Sequence, residues 1–175
     1  MKRQWTRDEL ADHWTLGPTE LELLANKSGA TRLGFAILLK AFTIEGRFPR
    51  QKHDVPLVVI VHVANQVNVP ADLYPRYEWS GRTIEYHRAQ IREFLGFREA
   101  TVQNGNELVS WLAQHVLPHD HREEHVREAV FDRCGALRIE PPSTVPRFTA
   151  SKSAGVPPCS SALMLPPNAR STICS

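Results

Sequence analysis

The run from Thr31 to Pro49 limits the fold more than any other part of this chain. Leu33, Phe35, Ala36, Ile37, Leu39 and Phe42 make it a strongly apolar helix. Gly46 and Pro49 supply its stop signals. Arg32 gives the run a basic entrance and Arg47 a basic exit.

The flanking segments read as further helices. Thr6 is placed as an N-cap with Glu9 three residues on, the pattern of a capping box, and a short helix follows through about Asp12. A second helix is expected from Thr19 to Asn26. Leu57, Ile60, Val61, Ala64 and Val67 recur at helical spacing after Asp54-Val55-Pro56. Valine favours strand, but the apolar run shows no alternation, so helix is the stronger reading. A short helix is expected around Ala71 to Tyr74. The next starts at Ser80 or Thr83 with Ile84, His87, Ile91 and Phe94 or Leu95 inward, and ends at Gly96. Asn104-Gly105 reads as a turn, followed by a helix from Glu107 to Val116 with Leu108, Trp111, Leu112 and Val116 inward. Glu123 to Arg133 makes the last, with Val126, Val130 and Phe131 or Cys134 inside. The expected fold is all-α: a compact assembly of about seven short helices over residues 1–142, with room for two small lobes.

The last segment differs. Residues 143–175 are rich in Pro, Ser and Thr, carry no acid and show no helical period. Such a segment does not readily offset the entropy of ordering, so a disordered or out-of-frame tail is expected there. It contributes Arg147, Lys152 and Arg170, so the formal charge of +2 for the whole chain becomes −1 for residues 1–142. Bulk charge therefore gives no support for nucleic-acid binding, and that case rests on a local basic face. Residues 1–142 contain Cys134 alone, which suits a reducing cytoplasm. No apolar run reaches the length of a membrane span, and no signal peptide is evident.

The middle helix carries the best nucleic-acid signal. Arg88 and Arg92 are about one turn apart, Arg82 and Thr83 lie at its start, and Arg76 precedes it. Such a face reaches phosphates, and residues near the helix start also meet base edges. The plainer reading is a surface helix whose arginines pair with Glu85 and Glu93. Arg32, Lys40 and Arg47 form a second candidate. Arg32 and Lys40 are separated by roughly 80° around the helix and are able to border one groove. Lys2 and Arg3 offer a basic arm. His115, His119, His121 and His125 with Cys134 invite a zinc reading, but Pro118 interrupts them and no cysteine pair supports it, so no metal site is assigned. No phosphate loop or nucleophile motif is present, no cofactor is expected, and the scattered acids of residues 120–128 suggest no catalytic centre.

Several of these stretches resemble one family. Arg3-Gln-Trp-Thr-Arg-Asp-Glu-Leu10, the Thr31–Pro49 run, the segment Tyr77–Phe97 around Trp79, Trp111–Pro118 and Arg133–Pro142 together resemble the N-terminal region of Tn3-family transposases, a DUF4158-like domain of uncharacterised function. The likeness covers roughly residues 1–142. It implies a transposase front end, truncated or frameshifted near residue 142, that binds transposon-end double-stranded DNA and contributes to terminal inverted-repeat recognition. It also implies that the chain is no enzyme, because the family's catalytic carboxylates sit on a ribonuclease-H-like fold in its distant C-terminal part. The alternative is a helical interaction module for other transposase domains or subunits, without direct DNA contact.

Overall fold

Thr6 starts the first helix as its position predicts. Its hydroxyl accepts from the Glu9 amide at 3.3 Å, and the Glu9 carboxylate accepts from the Thr6 amide at 3.0 Å. These bonds satisfy amides that a helix start would otherwise leave bare. The computed structural model describes residues 2–141, and the segment expected to form a tail lies outside the described residues. Helix α1 spans Arg7–Trp14, α2 Pro18–Glu22, α3 Gly29–Glu45, α4 Leu57–Val67, α5 Arg82–Leu95, α6 Val102–His115 and α7 Glu123–Ala136. Two 3₁₀ segments, Lys52–Asp54 and Ala71–Arg76, flank α4. The architecture is all-α, and the described residues contain no strand beyond an isolated bridge between Arg98 and Ile139.

Helix α3 is the hub. Every residue from Leu33 to Phe42 is buried, because α1, α4, α5 and the 71–76 segment all pack on it. Gly46 ends it at φ 66°, in the left-handed region where glycine costs least, and its amide donates to Phe42 O at 2.8 Å. Gly34 serves a different purpose. A Cβ there would lie 2.3 Å from Cγ of Tyr77, so only a bare Cα lets that ring lie against the helix. Trp14, Leu24, Phe35, Ile37, Val59, Val63, Ile84 and Ile91 complete this main core. Each fully buried apolar side chain contributes roughly 1.5–3 kcal/mol.

A smaller cluster lies between α6 and α7, built from Leu108, Leu112, Val126, Val130 and Cys134. Burial raises the pKa of the Cys134 thiol. Polar and cationic links join this helix pair and the segment after it to the main core. Arg98 N donates to Arg138 O at 2.9 Å, and Glu140 N donates to Arg98 O at 2.8 Å. The Arg47 guanidinium sits 5.0 Å from the centre of the Phe131 ring.

Three local expectations need correction. Asn104-Gly105 is not a turn. Thr101 caps α6 by accepting from the Asn104 amide at 3.2 Å, and Asn104 Oδ1 accepts from Thr101 N, also at 3.2 Å. The reciprocal cap starts the helix well before Glu107. Helix α2 is shorter than Thr19–Asn26, because residues 23–26 tighten into turns. The inner stripe of α4 runs through Val59, Ile60, Val63, Ala64 and Val67, which leaves Leu57 and Val61 exposed. Of the two residues expected to close the inner stripe of α5, Leu95 packs inward and Phe94 is exposed.

Candidate nucleic-acid interface

The α5 sequence places Ile84, His87 and Ile91 on the core side. Helical geometry then fixes where each arginine goes. Arg82, the first residue of the helix, and Thr83 are exposed, as is Arg76 at the end of the preceding 3₁₀ segment. Neither Arg76 nor Arg82 has a carboxylate partner among the described residues.

Arg88 and Arg92 do lie on one side of α5, but that side borders other parts of the protein. Arg92 is held by Glu140 at 2.6 Å and by Glu99 at 3.4 Å, and its side chain is only 12% exposed. Glu140 follows α7 in the chain, so this pair ties α5 to the segment beyond the last helix. Arg88 reaches Glu85 at 3.5 Å and sits 5.4 Å from the centre of the Phe48 ring. Its Nε is buried with no hydrogen-bond partner among the described residues. Glu85 is thus an arginine partner, as the plainer reading had it; Glu93 stays exposed.

The second group does not assemble into a basic groove. Lys40 is buried within α3 and pairs with Glu20 at 3.3 Å, fastening α2 to the hub. Arg32 is half-buried, and Arg47 pairs with Glu45 at 3.2 Å while covering Phe131. Lys2 pairs with Glu9 and lies 5.3 Å from the Trp5 ring centre, so that part of the basic arm rests on the helix start.

Behind the outer face of α5 lies a buried polar cluster. Tyr77 Oη and His87 Nδ1 are 2.7 Å apart, and the two rings are parallel. Phe35 meets His87 edge-on at 5.1 Å. Burial, aided by the Lys27 charge, lowers the His87 pKa to about 4, so the ring is neutral near pH 7. Burial raises the Tyr77 hydroxyl despite the opposing effect of Arg88. Lys27 donates to Leu23 O, Asn26 Oδ1 and Gln90 Oε1, each at 3.0 Å, and stands 4.1 Å over Phe35. With these partners the cluster anchors α5 on α3.

The histidines of the α6–α7 region do not converge. His115 Nδ1 meets the Trp111 carbonyl at 3.0 Å, and the His115 ring stacks on Trp111. His125 meets Asp120, whose carboxyl is held far below its usual range chiefly by a hydrogen bond from Arg122. Cys134 is enclosed by apolar neighbours. Among the described residues no His, Cys, Asp and Glu side chains form a set of three able to hold a metal ion. No described helix is long and apolar enough to cross a membrane.

One exposed residue escaped the sequence reading. Tyr86 is 63% exposed, and its hydroxyl has no hydrogen-bond partner among the described residues. Its spacing from Arg82 was the available signal, since residues i and i+4 share a helical face.

Residues 1–145 match a family described as a domain of unknown function, DUF4158. Over 115 residues, 65% of the chain, the sequence is 27% identical to an Escherichia coli protein described as the transposase for transposon Tn3926. The matched part spans only 12% of that protein's length. With the family match extending across most of the chain, the protein belongs to the DUF4158 family and represents an N-terminal transposase region.

Proposed function

We propose that this domain binds transposon-end double-stranded DNA and contributes to terminal inverted-repeat recognition in a Tn3-like transposase. The observation that carries the reading is the exposure of Arg82 and Thr83 at the start of α5 and of Arg76 at the end of the preceding 3₁₀ segment, with neither cation paired to a carboxylate among the described residues. Duplex phosphates are the fitting counter-charge, and the hydroxyl adds a further contact. Residues 1–142 have a net formal charge of −1, which predicts modest affinity from a small local footprint.

Titration of labelled inverted-repeat and scrambled duplexes at several salt concentrations tests this reading. Arg76→Ala and Arg82→Ala should each weaken binding and lower the salt slope by roughly 1 for every phosphate that is no longer neutralised. Equal binding by the wild type and the double variant would sink the assignment. We also propose that the domain binds without cutting, with the chemistry residing in other parts of a full-length transposase. Inverted-repeat DNA should therefore stay intact with Mg²⁺ or Mn²⁺, as read on a denaturing gel.

A second reading has its own observation. Leu57 is 72% exposed, and Val58 and Val61 are 43% exposed, on the outer side of α4. Such a stripe suits contact with another transposase domain or subunit. Failure to bind either duplex at low salt would favour it.

A further inference from the structure

Helix α5 presents to solvent a face that the arginine pairs leave open. Arg82, Tyr86, Ala89 and Glu93 follow one another at intervals of four, three and four residues, and all four are exposed. Thr83 and half-buried Gln90 border this face. On the opposite side Ile84, His87 and Ile91 fasten the helix to the core. A surface helix carried on a rigid support, with a large aromatic and a methyl group on its outer side, is well formed for insertion into a groove. Building on the DNA-binding reading above, we propose that this face enters the major groove of duplex DNA and that Tyr86 determines sequence preference there.

The cross-section of a helix and the two cations without carboxylate partners, Arg76 and Arg82, support this occupant. An α-helix with its side chains is about 10–12 Å across, which the roughly 12 Å width of the major groove admits. Ala89 lets the helix surface approach base edges closely. The Tyr86 ring is able to pack on a thymine methyl, and its hydroxyl both donates and accepts. Arg82 is suited to a guanine edge or an adjacent phosphate, with Arg76 on the backbone beside it. Acids set the orientation. Glu93 lies about one turn beyond Ala89, so the helix must enter with its Arg82 end leading, leaving Glu93 outside the groove. Glu85 pairs with Arg88 at 3.5 Å yet is exposed at the edge of this face, and the exposed Glu78 lies in the segment before α5, so the acids confine the phosphate contacts to the Arg82 end. Arg88 and Arg92 then act as positioning residues that hold α5 against its neighbours.

The full chain should be incubated with labelled duplexes bearing a randomised centre, and the bound fraction sequenced. A defined preferred sequence should emerge. Tyr86→Ala should lower the preference for that sequence over a scrambled duplex by about tenfold, with scrambled-duplex binding changed less than about threefold. Tyr86→Phe should keep whatever part of the preference comes from the ring. Ala89→Glu should block both duplexes while helical content, measured by circular dichroism, stays at the wild-type level. If the wild type binds duplex with a normal salt slope but selects no sequence, or if Tyr86→Ala keeps full preference, the groove assignment falls and the DNA-binding reading stands. If the wild type binds no duplex at low salt, both fall and an interaction surface for protein takes their place.

Discussion

His87 and Gly34 show how much of this domain depends on single atoms. The His87 ring is held neutral by burial down to about pH 4, against an ordinary value of 6.5. The unfolded chain therefore takes up the proton first as the pH falls. Stability from this group is fully present above about pH 6.5 and declines as the pH drops to about 4, by up to about 3 kcal/mol. Urea unfolding across that range should show the loss, and the His87→Gln variant should show a shallower decline. At Gly34 an added methyl group meets the Tyr77 ring. Gly34→Ala should cost about 1–3 kcal/mol through overpacking, seen as a lower unfolding midpoint, although alanine is the better helix former. Neither effect was legible in the sequence. His87 was rightly placed inward by its spacing from Ile84 and Ile91, but its partner Tyr77 approaches from the segment before the helix.

Individual helices were more legible than their partners. The Thr6–Glu9 box, the Gly46 and Gly96 stops and the helical reading of Leu57–Val67 all match the structure, because each depends on neighbours close in sequence. Asn104-Gly105 was misread because the same dipeptide serves turns and, beside a capping Thr101, a helix start. The arginines of α5 were placed on the correct helix, but their division of labour rests on residues far along the chain, such as Glu140 beside Arg92. Substitutions should expose that division. Arg92→Ala should destabilise the fold by about 1–3 kcal/mol, chiefly through the part-buried Glu140, since Glu99 is already exposed to water. Arg82→Ala, on an exposed site, should change stability by less than about 0.5 kcal/mol. Thermal unfolding of the two variants side by side checks both expectations, and only the second variant should then show a loss confined to DNA binding.

The molecule as a whole joins a large core around α3 to a small one between α6 and α7, through polar links near Arg98, Arg138 and Glu140. Links of this kind bury less apolar area than a core and open more readily. Amide exchange should therefore be slowest in Leu33–Phe42 and faster in α6 and α7, and Glu140→Gln should widen the gap by freeing Arg92 from a charged partner. The arrangement also has an order in time. All residues that build the α3 core lie at or before Phe97, whereas the second core needs Leu108 and residues beyond it. A ribosome delivering the chain from its N-terminus thus releases everything the α3 core requires before the last two helices emerge. Stalled nascent chains should resist protease over the α1–α5 region once Phe97 has cleared the exit tunnel, so the platform beneath the outer face of α5 would be finished while the rest of the polypeptide was still being made.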